Sequence, residues 1–259
     1  MTAWRAIAER WADGMMASGA AGVALMGSHA RGDADRLSDV DIVGIGSGEA
    51  TFRLVDGVIV SSSWVTAEEA RAGFDTPHRL GFVVPGWRTA VPLRDPDGVV
   101  AGLRTEAEAW TWTDAREQAG RAYLAHEVTH YCEEVFLLVR MLDARPWPAS
   151  VIRSVFALRS AGLVASRFGL LYETEKDLWE LVARDRGDEW RALQDAAFGL
   201  GGVTPRDSAI AGLDLFRLLA AIAAPDLGEH QRPVVELALA EIERVRASDR
   251  KTGPAPPLR

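Results

Sequence analysis

Residues 23–45 read VALMGSHARGDADRLSDVDIVGI, and this stretch decides the fold of the first part of the chain. The apolar run over 23–26 predicts a short strand that ends in a Gly27-Ser28 turn. Further along, Asp39-Val40-Asp41 leads into a second apolar run, which predicts another strand over 40–45. The order indicates a strand, a turn, a short helix and a second strand.

The second of these strands carries two aspartates spaced two residues apart. Alternate residues of a strand point to the same face, so Asp39 and Asp41 are expected to converge while Val40 and Ile42 face the core. Hard oxygen ligands on one face suit Mg²⁺, which binds one or two carboxylates together with substrate phosphates. We therefore predict that Asp39 and Asp41 are catalytic residues and metal ligands.

The Gly27-Ser28 turn predicts a phosphate site. Free backbone N–H groups at a strand-to-helix turn, together with the helix dipole, hold phosphate oxygens, and Gly27 permits a close approach of the backbone. Ser28 adds a hydroxyl, and Arg31 offers a planar guanidinium in the following turn. The predicted nucleotide-binding residues are Gly27, Ser28, Arg31 and Ser38.

This combination of an apolar strand, Gly-Ser and Asp-x-Asp in a second strand resembles the nucleotidyltransferases of the DNA-polymerase-β superfamily. Within that superfamily the chain looks most like the aminoglycoside nucleotidyltransferases, particularly the kanamycin type. The likeness extends through the hairpin ending at Thr66-Ala67-Glu68-Glu69, the Asp95-Pro96-Asp97-Gly98 turn, and the segment Cys132-Glu133-Glu134-Val135-Phe136.

That resemblance implies transfer of a nucleoside monophosphate to a hydroxyl of a small, cationic acceptor, with release of pyrophosphate. The donor would be a Mg-nucleotide, ATP or another nucleoside triphosphate, and the role would be antibiotic resistance. It also implies a homodimer, and acids in a helical domain that bind the acceptor amines and deprotonate the hydroxyl.

Glu133 and Glu134 align with the acceptor-binding acids, but Leu137 stands a turn later, where the family has its base. Glu134, Glu133 or Glu127 is therefore the candidate base, and spacing alone does not choose between them.

One departure concerns the third carboxylate, which the family places on the strand after the hairpin. This chain has Ser61-Ser62-Ser63 there. A neutral hydroxyl neither balances a second cation nor acts as a base. An alternative interpretation is therefore a catalytically impaired homologue that binds a nucleotide or another ligand without turnover.

A competing motif, His126-Glu127-Val128-Thr129-His130, matches the His-Glu-x-x-His pattern of zinc metalloproteases. Histidines four residues apart share a helix face, and Glu127 would activate the zinc-bound water. No third ligand follows at the usual spacing, so a zinc metalloprotease is retained as a second alternative. Arg121 and His126 also have the spacing of helical HEPN ribonucleases, a pattern that is common by chance.

The periodicity of the chain predicts two domains of different character. Residues 51–55 and 58–65 flank Asp56-Gly57, a strong hairpin signal. The stretch after residue 73 is expected to be a loop containing Pro77, Pro85 and Pro92, followed by a short strand near Asp97-Gly98. Helical spacing is found over residues 3–18, 68–73, 113–143, 148–170, 173–185, 187–199, 206–223 and 231–248. We predict an α+β protein with an N-terminal mixed-sheet nucleotidyltransferase domain over 1–115, a C-terminal all-helical bundle over 116–250 and a disordered tail over 251–259.

The composition limits the kinds of molecule that the protein is expected to bind and the place where it is expected to work. The chain has 259 residues and a net charge of −8, and this acidic balance argues against a nucleic-acid interface while it suits a small cationic substrate. Cys132 is the only cysteine, which excludes an intrachain disulfide. The N-terminal segment is amphipathic and unlike a signal peptide, and no apolar run approaches the roughly 20 residues that span a bilayer. We predict a cytoplasmic location with no membrane partner.

Overall fold

The computed structural model of the protein describes residues 3–142 and 145–252. The chain forms two compact units, one of Met1–Thr113 with Leu171–Glu175 and one of Asp114–Leu170 with Lys176–Arg259. A mixed sheet lies in the first unit and the second is helical, so the predicted α+β class is confirmed. The predicted tail over 251–259 begins inside the last helix, which ends at Thr252, and its remainder lies outside the described residues.

The first unit is built around a sheet of five strands, β1 (Gly22–Met26), β2 (Val40–Ile45), β3 (Thr51–Val55), β4 (Val58–Val65) and β5 (Val91–Arg94). Their order across the sheet is β3-β4-β2-β1-β5. Strands β2 and β4 are parallel, and the other neighbouring pairs are antiparallel. The predicted hairpin is confirmed, with φ values of +50° at Asp56 and +81° at Gly57, as a tight primed turn requires. The helices of this unit are α1 (Ala3–Ala17), α2 (Gly27–Arg31), α3 (Ala67–Gly73), α4 (Pro77–Thr89) and α5 (Val99–Glu108).

The two faces of the sheet are covered differently. One face packs against α1 through an apolar cluster that includes Leu25, Ile42 and Val60. The opposite face packs against α3, α4 and α5, with Ala24 and Val43 in that second cluster. Since side chains alternate between faces along a strand, Asp41 points to the α4 side, next to Val43 and away from Ile42.

The region after residue 73 departs from the expected loop, because α4 occupies most of it. Pro77 is tolerated at the first turn of this helix, where its missing N–H is not needed. Pro85 lies inside the helix and deprives the Gly81 carbonyl of its usual donor. The backbone N–H of Tyr172 donates to that carbonyl at 2.8 Å, which compensates for the loss. A contact distant in sequence therefore stabilises a helix that the prolines argue against.

The expected strand near Asp97-Gly98 is also wrong, because a helix, α5, follows Gly98. The Asp95 carboxylate accepts hydrogen bonds from the N–H groups of Val100 at 3.0 Å and Ala101 at 2.9 Å. Such bonds satisfy donors that have no partner inside the first turn of a helix. The strand precedes the turn instead, as β5.

The second unit is a helical bundle. Its core contains Phe156 of the helix at Pro146–Phe168 and Phe216 of the helix at Pro205–Ala223, with ring centroids 6.0 Å apart. The predicted helix over 113–143 is divided at Tyr131. The remaining predicted helices are confirmed within a few residues at their ends. The helices are α6 (Asp114–His130), α7 (Cys132–Met141), α8 (Pro146–Phe168), α9 (Glu175–Arg186), α10 (Asp188–Ala197), α11 (Pro205–Ala223) and α12 (Arg232–Thr252).

Two of these helical segments, Trp147–Phe168 and Pro205–Asp226, are long and apolar enough to cross a membrane by length and composition. The sequence expectation that no such segment exists is therefore too strict. Half of the most apolar window of the first segment is buried, and 61% of that of the second. Core helices of a bundle have the same character.

Candidate nucleotide site

Four side chains form a row across the sheet at the place where the aspartates are predicted: Met26, Asp41, Ser61 and Phe52. Asp41 pairs with Met26 of β1 on one side and with Ser61 of β4 on the other, and Ser61 pairs with Phe52 of β3. Residues that pair directly across strands share a face, so all four side chains point to the α4 side. The helices α3–α5 pack on the same face near Val43, which leaves Asp41 half-buried beside them.

The surroundings of Asp41 disfavour its ionised form. Burial, and after it the neighbouring charge of Asp39, raise the pKa of Asp41 to about 6, although Arg31 acts in the opposite direction. Asp39 precedes the first residue of β2 and is half-buried. Because the charge of Asp39 disfavours the ionised form of Asp41, a cation bound at this pair would lower the pKa of Asp41.

Gly27 begins α2 directly after β1, with a left-handed φ of +64°. A Cβ atom at this position would lie 2.2 Å from Oδ2 of Asp41. Only glycine therefore lets the turn approach the carboxylate this closely, and the left-handed backbone favours it as well. Gly27 thus permits a close approach of the backbone, here to the Asp41 carboxylate.

Arg31, at the end of α2, is held by acidic neighbours. Its Nε donates to Oδ2 of Asp33 at 3.2 Å, and its Nη1 donates to the carbonyl of Glu173 at 3.2 Å. The carboxylate of Glu173 lies 3.9 Å from the same Nε. Only 14% of the Arg31 side chain is exposed, so the guanidinium is fixed in place. These bonds engage Nε and Nη1, and a guanidinium has five N–H donors for partners such as phosphate oxygens.

Sequence reasoning missed Asp33 and Glu173. Asp33 follows Arg31 by two residues and could have been found from this spacing. Glu173 comes from a segment far along the chain that belongs to the first unit, and no local pattern marks it. The predicted residue Ser38 lies in the loop before β2, where its hydroxyl accepts the N–H of Asp35 at 2.8 Å. Its contact in this structure stabilises the loop.

Ser61 stands where the third carboxylate was expected, in register with Asp41. Its neighbour Ser62 faces the other side and is bound to the hydroxyl of Thr51 at 2.8 Å. Among the described residues, no group of three or more histidine, cysteine, aspartate or glutamate side chains is arranged to hold a metal ion. Asp41 is therefore the carboxylate of this row, and Asp39, two residues earlier in the chain, is the acid whose charge acts on it.

The three glutamates predicted as base or acceptor-binding residues belong to the second unit. The pKa of Tyr131 is raised chiefly by burial, and Arg159 acts in the opposite direction. The charges of Glu127 in α6 and Glu134 in α7 also raise the pKa of Tyr131. Glu133 is exposed, whereas Glu127 and Glu134 are half-buried. The structure thus brings Glu127 and Glu134 to one tyrosine.

The histidines of the competing motif lie next to each other on α6, with ring centroids 4.1 Å apart. Nδ1 of His130 lies 3.0 Å from the carbonyl of His126, so a backbone hydrogen bond engages one of its ring nitrogens. Metal-ligand groups of three are absent from the described part of this unit as well. Arg121 is paired with Glu117 at 2.6 Å. The geometry adds nothing to the zinc or ribonuclease alternatives.

Comparisons with known proteins bear on the same region. Residues 3–72 match the family described as "Nucleotidyltransferase domain", and this range contains the turn, both aspartates and the hairpin. The match supports nucleotidyl transfer as the general class of activity. No curated protein matches the chain.

One similar solved structure is the crystal structure of a nucleotidyltransferase-like protein from Exiguobacterium sibiricum 255-15. It aligns with a TM-score of 0.51 and 12% identity over 82% of this chain and 73% of that one. At this identity the likeness concerns the fold.

Proposed function

We propose that the first unit transfers a nucleoside monophosphate from a Mg-nucleotide, such as Mg-ATP, to a hydroxyl of a small acceptor. The observation that carries the proposal is the contact between the Gly27 turn and the Asp41 carboxylate. This contact joins a predicted phosphate-binding turn to a pair of acids on one sheet face. The family match over residues 3–72 supports the same class of reaction.

Asp39 and Asp41 would hold the magnesium ion. Both carboxylates are half-buried, and the charge of Asp39 adds to the raised pKa of Asp41. A hard divalent cation fits this pair, because its charge offsets the cost of burying Asp41 and the repulsion from Asp39. When bound, Mg²⁺ supplies charge stabilisation to the phosphoryl group during transfer. Because residue 61, in register with Asp41, is a serine, the proposed protein ligands are the two acids Asp39 and Asp41.

The remaining residues of the site bind and orient the nucleotide. The backbone N–H groups of Gly27 and Ser28, at the start of α2, donate hydrogen bonds to phosphate oxygens, and Arg31 adds a fixed positive charge. The acceptor oxygen forms a bond to the α-phosphorus while the bond to the pyrophosphate oxygen breaks. The hydroxyl proton passes to a general base. The glutamates that the sequence names for this role, Glu127, Glu133 and Glu134, belong to the second unit.

A cationic acceptor of the aminoglycoside kind, and hence a role in antibiotic resistance, is the finer part of the proposal. The net charge of −8 favours cations near the protein. In the second unit, burial raises the pKa of the half-buried Tyr123 and Tyr131. The charge of Glu127 raises the pKa of both as well, and Arg159 acts in the opposite direction. Carboxylates beside aromatic rings suit ammonium groups.

The test compares Asp41→Asn with Asp97→Asn, a change at an exposed aspartate of a turn outside the site. Pyrophosphate release is measured with Mg-ATP or Mg-GTP and a panel that contains kanamycin A and streptomycin. We expect Asp41→Asn to lower the rate about a hundredfold or more, because a metal ligand is lost. Asp97→Asn should keep the wild-type rate.

The fold of Asp41→Asn should survive. Burial disfavours the ionised Asp41, so above its pKa of about 6 a neutral amide removes an unfavourable charge from the folded state. The thermal unfolding midpoint at pH 8 is therefore expected to stay at or above that of the wild type. An unchanged transfer rate in Asp41→Asn would refute the proposal.

The position of Ser61 specifically favours a second candidate, a protein that binds nucleotide without turnover. Calorimetric titration with Mg-ATP separates the two. Binding that depends on Asp41, without pyrophosphate release for any acceptor in the panel, would establish the binding function instead.

A further inference from the structure

Two large apolar side chains are exposed on the edge strand beside the site. Phe52 is 70% exposed and Leu54 is 73% exposed. Phe52 pairs with Ser61 and Leu54 with Ile59, so both point to the face that carries Asp41. We call Phe52 and Leu54 the edge patch. A contiguous apolar patch next to converging polar groups is typical of a ligand-binding surface.

The order of the strands relates the edge patch to the reaction. The Gly27 turn follows β1, which lies on one side of β2, while β4 and β3 lie on the other side. In an in-line displacement the attacking and leaving oxygens lie on opposite sides of the phosphorus. If pyrophosphate leaves toward the Gly27 turn, the acceptor must approach over β4 and β3.

The spacing of the strands fits an acceptor of small-molecule size. Neighbouring strands lie about 4.8 Å apart, which puts Phe52 about 10 Å from Asp41 across the row. A single sugar or aromatic ring attached to the reacting hydroxyl spans this distance. Ser61, between the two, has a short neutral side chain that leaves room for it.

We infer that the edge patch binds a nonpolar ring face of the acceptor, next to the hydroxyl that receives the nucleotide. The inference rests on the proposed nucleotidyl transfer, independently of its aminoglycoside form, and names a different acceptor chemistry: a hydroxyl compound with an apolar ring, such as an aryl glycoside. Phe52 is a specificity-determining residue in this arrangement, and Leu54 extends the surface toward the open end of the sheet.

The experiment uses a matched pair of acceptors, phenyl β-glucoside and methyl β-glucoside, which share their sugar hydroxyls and differ in the apolar group. Kanamycin A serves as a polycationic reference, and the donor is Mg-ATP. The variants are Phe52→Ser and Arg53→Ser. Arg53 is exposed on the same strand and faces the opposite side of the sheet, toward the α1 cluster.

In the wild type we expect the phenyl compound to have a kcat/KM about tenfold above that of the methyl compound, as burial of part of a phenyl ring provides. Phe52→Ser should abolish this preference by raising KM for the phenyl compound, with the KM of ATP unchanged. Arg53→Ser should keep the preference. Phe52→Leu should retain part of it, which separates loss of contact from loss of fold.

Four outcomes would overturn the inference. A preference that persists in Phe52→Ser, or turnover of kanamycin A with neither glucoside accepted, shows that the edge patch does not select the acceptor. Dissociation of a dimer by Phe52→Ser without any change in KM assigns the patch to a second copy of the chain. If Mg-ATP binds and no acceptor is turned over, the transfer function fails and the inference fails with it.

Discussion

Replacing Gly27 by alanine tests the contact on which the proposed site depends. The added Cβ would lie 2.2 Å from Oδ2 of Asp41, against 3.4 Å or more in ordinary contacts. The carboxylate must therefore move by about 1.2 Å, and a displacement of that size costs on the order of a hundredfold in rate at a catalytic centre. The left-handed φ of +64° adds a strain of about 1–2 kcal/mol to the folded state.

Gly98→Ala is the matched control, because Gly98 has a similar φ of +72° and no atom within 4 Å of the added Cβ. Urea unfolding should show a comparable loss of stability in both variants. Calorimetric titration with Mg-ATP and the pyrophosphate assay should show a defect in Gly27→Ala alone. Equal binding and equal rates in the two variants would refute the reasoning that Gly27 is required by Asp41.

Two further predictions concern the same carboxylate. Because the pKa of Asp41 is raised to about 6, Mg²⁺ must displace a proton from Asp41 at pH values below 6. In that range the apparent Mg²⁺ affinity should fall about tenfold for each pH unit by which the pH is lowered. Mg²⁺ titrations at several pH values measure this, and an affinity independent of pH would contradict it. Ser61→Asp puts a third carboxylate in register with Asp41 and should lower the Mg²⁺ concentration for half-maximal pyrophosphate release about tenfold. Ser63→Asp, which pairs with Val43 on the same face, should not, and equal effects of the two would show that register is irrelevant.

Much of the first unit could be predicted from local sequence. Strand periodicity and turn residues act over a few neighbours, so β1, β2 and the hairpin of β3 and β4 follow from the residues themselves. The same alternation puts Asp41 on the face opposite to Ile42. The Gly-Ser turn and the pair of acids, each taken by itself, are thus properties of the sequence.

Other features depend on contacts that no local pattern contains. The helix α4 forms through Pro85 because Tyr172, distant in sequence, donates to the carbonyl that this proline leaves free. Glu173 follows directly and binds Arg31. Secondary-structure propensity is weak compared with such tertiary contacts, so the expected loop is replaced by a helix.

The sequence by itself determined the Gly27 turn, the two aspartates and the serine in place of a third acid, since each is a matter of residue type and spacing. Only the tertiary structure decided that Gly27 lies against Asp41, that Ser61 is in register with it, and that Phe52 extends the row. Register and close approach are set by how strands pair and how side chains pack, and these depend on partners far along the chain.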